Sequence, residues 1–177
     1  MTGPYAHAWQ QYRAAGWTGI IPLPPRRKSP PPRGVTGPTG IWPSVADCLS
    51  WAEGREGAGN IALKLPHGVL GIDVDDYDGK PGAATLADAQ ERWGQLPPTW
   101  VSGARGGLSG IRLYRVPEGL AWPGEVGPGI ETVHSGHRYA VVWPSVHPDT
   151  GGTYQWDGPG GIPDVDQLHE LDRKSVV

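Results

Sequence analysis

The sequence predicts an α+β fold, and three observations carry the prediction. Helical and extended patterns mix up to about residue 94, after which short extended runs dominate, as in a sandwich built on an antiparallel or mixed sheet. Gly and Pro, at 28 and 20 residues, exceed a quarter of the chain, which favours many turns and short elements over long helices. A length of 177 residues without visible repeats suits one domain spanning 1–177.

Residues 5–16 read as a helix, with Trp9 and Tyr12 or Arg13 at helical spacing and Gly16 as its stop. Gly19–Leu23 reads as a short strand. The following run, Pro24 to Gly34, cannot form helix or interior strand, because Pro removes amide donors and fixes φ. It is expected as an exposed, polyproline-like basic loop within the domain. Ser44–Glu53 reads as a helix with Ser44 as N-cap and Val45, Cys48, Leu49 and Trp51 as apolar surface. Asn60–Leu65 and Val69–Val74 read as a hairpin around Pro66-His67-Gly68. Ala83–Trp93 is expected as a helix closed by Gly94. Short strands follow at 99–102, 110–114, 129–133, 139–143 and 153–156, and Asp164 caps a last helix over about 165–173.

Composition excludes several classes. The single Cys48 rules out an intramolecular disulfide and any multi-Cys zinc site, making a reducing cytoplasm the default. No apolar stretch approaches a membrane span, and no signal-peptide pattern opens the chain. Nine Trp supply much of the core of a chain that has no Phe. The net charge of −3 is unevenly spread: Arg26, Arg27, Lys28 and Arg33 cluster in the Pro-rich loop, while acids concentrate at 73–78 and 149–172. A basic run beside an acidic site suits a protein that holds a phosphate backbone in one place and metal-bound phosphates in another.

Gly71-Ile72-Asp73-Val74-Asp75-Asp76-Tyr77-Asp78 is the most informative segment. In an extended strand side chains alternate, so Asp73 and Asp75 project together. Like charges held that close repel unless a cation lies between them, so the pair is a natural half-site for Mg²⁺ or Mn²⁺. An EF-hand fails on register: Gly79 falls at the seventh loop position and Ala84 where a bidentate Glu is required. A second cluster, Ser102 to Tyr114, is a Gly/Ser-rich turn running into a strand, with Arg105, Ser109 and Arg112 able to face phosphates. A third joins Glu131, another carboxylate on a strand, to Arg138 and to Pro144-Ser145-Val146-His147-Pro148, where Ser145 and His147 lie two apart.

In that order, across about residues 15–157, these pieces resemble the N-terminal primase-polymerase domain of bifunctional replication proteins, a branch of the archaeo-eukaryotic primase superfamily. The matching segments are Asn60-Ile61-Ala62-Leu63, Gly71 to Asp75, Ser102 to Tyr114, and Gly129-Ile130-Glu131 through Pro148, ending at Tyr154-Gln155-Trp156. The resemblance implies an archaeo-eukaryotic-primase-like fold, with an RRM-like catalytic sheet packed against an N-terminal α/β unit. It implies template-dependent nucleotidyl transfer that extends or initiates a strand, with two divalent ions, Mg²⁺ or Mn²⁺, on Asp73, Asp75 and Glu131. Arg105, Ser109, Arg112, Arg138, Ser145 and His147 would bind the nucleoside triphosphate. Arg26, Arg27, Lys28 and Arg33 would bind a single-stranded DNA template or primer-template. Arg112 stands where the family commonly has the His of a Ser-x-His motif.

No Gly-x-x-x-x-Gly-Lys-Ser/Thr loop occurs, so unwinding would fall to a helicase region or a separate helicase. The setting implied is cytoplasmic replication in a bacterium, phage or plasmid. Two competing readings stand beside the enzyme. One is a catalytically weak or inactive nucleotide or single-stranded nucleic-acid binding module of the same fold. The other is a metal-dependent nuclease, for which only His134 and His137 offer a general base.

Overall fold

The computed structural model describes residues 3–171, and within them three α-helices accompany two antiparallel sheets. The α+β class therefore holds. Helix α1 (Pro4–Ala14) starts with Pro at its first position, where a missing amide proton costs nothing. It buries Tyr5, Ala8, Trp9 and Tyr12, an i, i+3, i+4, i+7 stripe. Helix α2 (Val45–Glu53) opens on a capping box: the Ser44 hydroxyl accepts from the Asp47 amide, and the Asp47 carboxylate accepts from the Ser44 amide. Helix α3 (Gly82–Trp93) ends at Gly94, whose φ of 102° suits a residue without Cβ.

The smaller sheet runs β1 (Gly19–Leu23), β2 (Asn60–Lys64), β8 (Ala140–Val141). Pro22 is tolerated because β1 is an edge strand. The larger sheet has the order β6 (Glu125–Gly127), β7 (Ile130–Val133), β3 (Val69–Val74), β5 (Gly110–Arg115), β4 (Val101–Gly103), β9 (Gln155–Asp157). One buried cluster draws on α1, both sheets and the C-terminal segment, including Tyr12, Trp17, Ile61, Leu63, Leu113, Val133 and Leu168. Buried indoles still need partners for their N–H groups. Trp17 donates to the Pro163 carbonyl at 2.8 Å, Trp100 to Gly160 at 3.2 Å and Trp156 to the Tyr12 hydroxyl at 2.9 Å. The first two bonds bind the segment after β9 to the body, and the third ties β9 itself to α1. No described helix is long and apolar enough to cross a membrane.

Two expectations need correction, and two elements were not foreseen. The segments around Pro66-His67-Gly68 are strands but not a hairpin. Strand β2 pairs with β1 and β8, whereas β3 pairs with β5 and β7, so the turn carries the chain from one sheet to the other. The helix over about 165–173 is only a 3-10 turn, Val165–Gln167. The His169 carbonyl accepts from the Arg115 amide and the Leu171 amide donates to the Arg115 carbonyl, so pairing with the end of β5 overrides helix propensity. Residues 172 and 173 of that expected helix lie outside the described residues. Finally, β6 and a 3-10 turn at Arg55–Ala58 had no legible pattern.

Candidate functional site

Register assembles the acidic centre. Asp73 has Glu131 of β7 as its cross-strand partner on one side and Ile111 of β5 on the other. Asp75 follows two residues later on the same face. Its backbone is fixed by close glycine contacts: its amide donates to the Gly129 carbonyl at 2.8 Å, and its carbonyl accepts from the Gly82 amide at 3.0 Å. A Cβ on Gly82 would stand 2.4 Å from that carbonyl oxygen, and Gly129 has a φ of 75°. Asp76 points away and accepts from the Ala83 amide at the start of α3.

Asp73, Asp75 and the surrounding cations line an open cleft of about 370 Å³, where the two sheets meet. That is within the roughly 300–1,000 Å³ typical of small-molecule sites. The Gly-rich turn supplies Ser109 and Gly110, β4 supplies Ser102 and Gly103, and the β8 side supplies Tyr139 and Val141. Desolvation, then the neighbouring Asp75, pushes the Asp73 carboxyl up to about 6; Glu131 adds to this and Arg138 and Lys28 oppose it. Lys80 reaches Asp75 Oδ2 at 2.5 Å, and Arg138 Nη1 reaches Glu131 Oε2 at 2.5 Å.

A cationic end flanks the carboxylates. Arg105 lies 4.0 Å from the Tyr77 ring centroid and bonds Asp149 at 3.0 Å, while its Nε is buried without a partner among the described residues. Lys28 lines the cleft too, and desolvation, then Arg105, lowers its pKa. His147 is buried, stacks on Tyr154, and accepts at Nδ1 from the Asp149 and Thr150 amides. Its remaining proton is therefore on Nε2. Burial, then Lys28 and Arg105, lowers its pKa, so it is neutral.

The structure separates the sequence candidates. Asp73, Asp75, Lys28, Arg105, Ser109, Arg138 and His147 meet in the cleft lining, with Glu131 beside Asp73. Ser145 does not. Fully buried, it accepts from the Ile61 amide at 2.8 Å and donates to the Ile61 carbonyl at 2.9 Å, riveting its loop to β2. Arg112 is also outside the lining. Its register partner is Ile72, on the face opposite Asp73, and its guanidinium donates to the Leu108 and Gly110 carbonyls. Arg26, Arg27 and Arg33 are exposed outside the cleft, so Lys28 parts company with its loop neighbours.

Sequence reasoning missed Lys80, Tyr77, Tyr139 and Tyr154 as lining residues, and Asn60 as a positioning residue. Asn60 donates to the Arg27 and Val146 carbonyls and accepts from the Val146 amide, joining the basic loop to the His147 loop. Asp78-Gly79 before Lys80 was a legible turn signal that would have returned Lys80 towards Asp75.

A family model described as the N-terminal domain of bifunctional DNA primase/polymerase matches residues 9–172. No curated protein matches the chain.

Proposed function

Because this chain belongs to the bifunctional DNA primase/polymerase N-terminal family, we propose that it is a template-dependent nucleotidyltransferase that extends or initiates a nucleic-acid strand. The observation that carries the reading is the cross-strand placement of Asp73 beside Glu131, with Asp73 and Asp75 lining a cleft that also holds Lys28, Arg105 and Arg138. In this reading the larger sheet is the RRM-like catalytic module, and the smaller sheet with α1 and α2 is the N-terminal unit.

The donor set suits hard divalent cations: crowded carboxylate oxygens, one of them with a pKa raised by burial and like charge. Among the described residues no three His, Cys, Asp or Glu side chains converge on one point. Such a site suits ions completed by substrate phosphates rather than an all-protein cage. Asp73, Asp75 and Glu131 would hold Mg²⁺ or Mn²⁺, which supplies charge neutralisation at the transferring phosphate. The chain's own residues do the rest. Lys28 and Arg105 bind the phosphate tail, with the unpaired Arg105 Nε as a further donor. The Ser109-Gly110 turn lays backbone amides beside it. Neutral His147 offers an Nε2 proton, and Ile111, Tyr139 and Tyr154 give the cleft the apolar walls a sugar or base needs.

The second reading, a binding module that does not polymerise, is favoured by one observation: Lys80 and Arg138 already neutralise two of the three carboxylates. Incubating the protein with a labelled primer-template, dNTPs and Mn²⁺ separates the readings. Template-directed extension is expected. Binding without extension supports the second reading, and shortening of the primer would establish a nuclease.

A further inference from the structure

The turn after β3 folds a cation back onto the acidic pair. Asp78 and Gly79 both take left-handed backbone, with φ of 50° and 80°, and the Lys80 amide closes the turn on the Tyr77 carbonyl at 3.0 Å. This brings the Lys80 ammonium to Asp75, 2.5 Å from Oδ2, and leaves it 5.0 Å from the centroid of the Tyr77 ring. The same ring carries Arg105 at 4.0 Å, so one aromatic side chain links the Lys80 turn to the cationic end of the cleft. The ion pair is open to water, with side-chain exposures of 49% for Lys80 and 25% for Asp75. Pairs in that regime are weak and exchange readily.

We propose that Lys80 is an exchanging counter-ion: it neutralises Asp75 before a divalent ion binds, then turns to the phosphates of the incoming nucleotide. The inference rests on the nucleotidyl-transfer reading above. A divalent ion and an ammonium group cannot share one carboxylate without repulsion, so metal entry displaces Lys80. Glu131 is already matched by Arg138. The polyanion that enters the cleft is then the natural partner for the displaced charge. Lys80 thus opposes the metal and favours the nucleotide, and these two roles have opposite signs in measurement.

The test compares the full chain with Lys80→Gln and Lys80→Arg, without turnover. Mn²⁺ alone is titrated and free Mn²⁺ followed by electron paramagnetic resonance. Affinity for the non-transferable α,β-imido analogue of dATP is then measured calorimetrically at saturating Mn²⁺. Lys80→Gln is expected to bind Mn²⁺ about three- to fivefold more tightly and the analogue about tenfold more weakly. Lys80→Arg, which keeps the charge, should stay near wild type in both. If Lys80→Gln weakens both, as a merely structural role would, or leaves either unchanged, the inference is overturned while the nucleotidyl-transfer reading stands. A wild-type chain that fails to bind Mn²⁺ or the analogue overturns both.

Discussion

The Ser109 hydroxyl accepts the amide proton of Asp76 at 3.0 Å, so the Gly-rich turn and the acidic loop are held as one unit. Arg112 stiffens the same turn from the other side of the sheet, bonding the Leu108 carbonyl at 2.8 Å and Gly110 at 3.2 Å. Ser109 thus lines the cleft and braces its acidic loop, while Arg112 shapes the site from behind the groups that line it.

Arg112→Ala should therefore loosen the turn rather than remove a phosphate contact. Affinities for a nucleoside triphosphate and a diphosphate are expected to fall by the same factor, about three- to tenfold for one or two lost hydrogen bonds. Arg112→Lys should not restore them, because an ammonium cannot span two carbonyls as a planar fork does. A loss confined to the triphosphate, recovered by Lys, would return Arg112 to the phosphate-binding set.

Asp73→Asn should abolish nucleotide incorporation yet stabilise the metal-free protein at neutral pH. The carboxyl titrates at about 6 in the fold against 3.8 for its ordinary value, so protonation favours the folded state. Its contribution is fully present below pH 4 and is lost as pH rises through 6. In chelator, the advantage of Asp73→Asn should grow over that window to at most about 3 kcal/mol and vanish near pH 4. Thermal melts at pH 4, 6 and 8 check it; equal shifts at all three would place the effect elsewhere.

The basic loop should divide into two functions. Lys28→Gln is expected to weaken nucleotide binding about tenfold, as for a charge-assisted contact, because Lys28 lines the cleft. Replacing the exposed Arg26, Arg27 and Arg33 by Gln should spare nucleotide binding but weaken single-stranded DNA binding. Each lost phosphate contact flattens the slope of log K against log salt by about 0.7. An unchanged slope in the triple variant would leave those arginines as a solvated surface.

Ser145→Ala removes the hydroxyl partner of the amide of buried Ile61 and one of two donors to its carbonyl, which keeps the Val142 amide at 3.2 Å. It should cost about 1–3 kcal/mol in urea unfolding. A neutral effect would mean that water reaches this position.

Legibility followed distance along the chain. Helix α1, the Ser44 cap and the alternation that aims Asp73 and Asp75 together all depend on neighbours within a few residues, and all could be read directly. The partners of Pro66–Gly68 could not, since a tight turn gives the same local signal whether its strands pair or part. The position of Ser145 and Arg112 outside the cleft lining was illegible for a related reason. A hydroxyl and a guanidinium are equally suited to a ligand or to a backbone carbonyl, and only the contacts with Ile61 and Leu108 decide between them. Lys28 and His147 fell on the cleft because Asn60 ties their two loops together, a bond between residues 86 apart that no periodicity encodes.

Strand β3 lies between β7 and β5, away from the sheet edge, and its alternate residues serve opposite environments: Asp73 faces the cleft while Val74 joins Leu86 and Ile130 in an apolar cluster. A slip of one residue in pairing would drive both carboxylates into that apolar layer and turn Ile72 and Val74 outward. The acidic pair strains the native strand through mutual repulsion, yet the same charges forbid its nearest misfolded neighbour. Replacing both with apolar residues would yield a strand content to sit in either alignment, and a protein with two ways to fold its own centre.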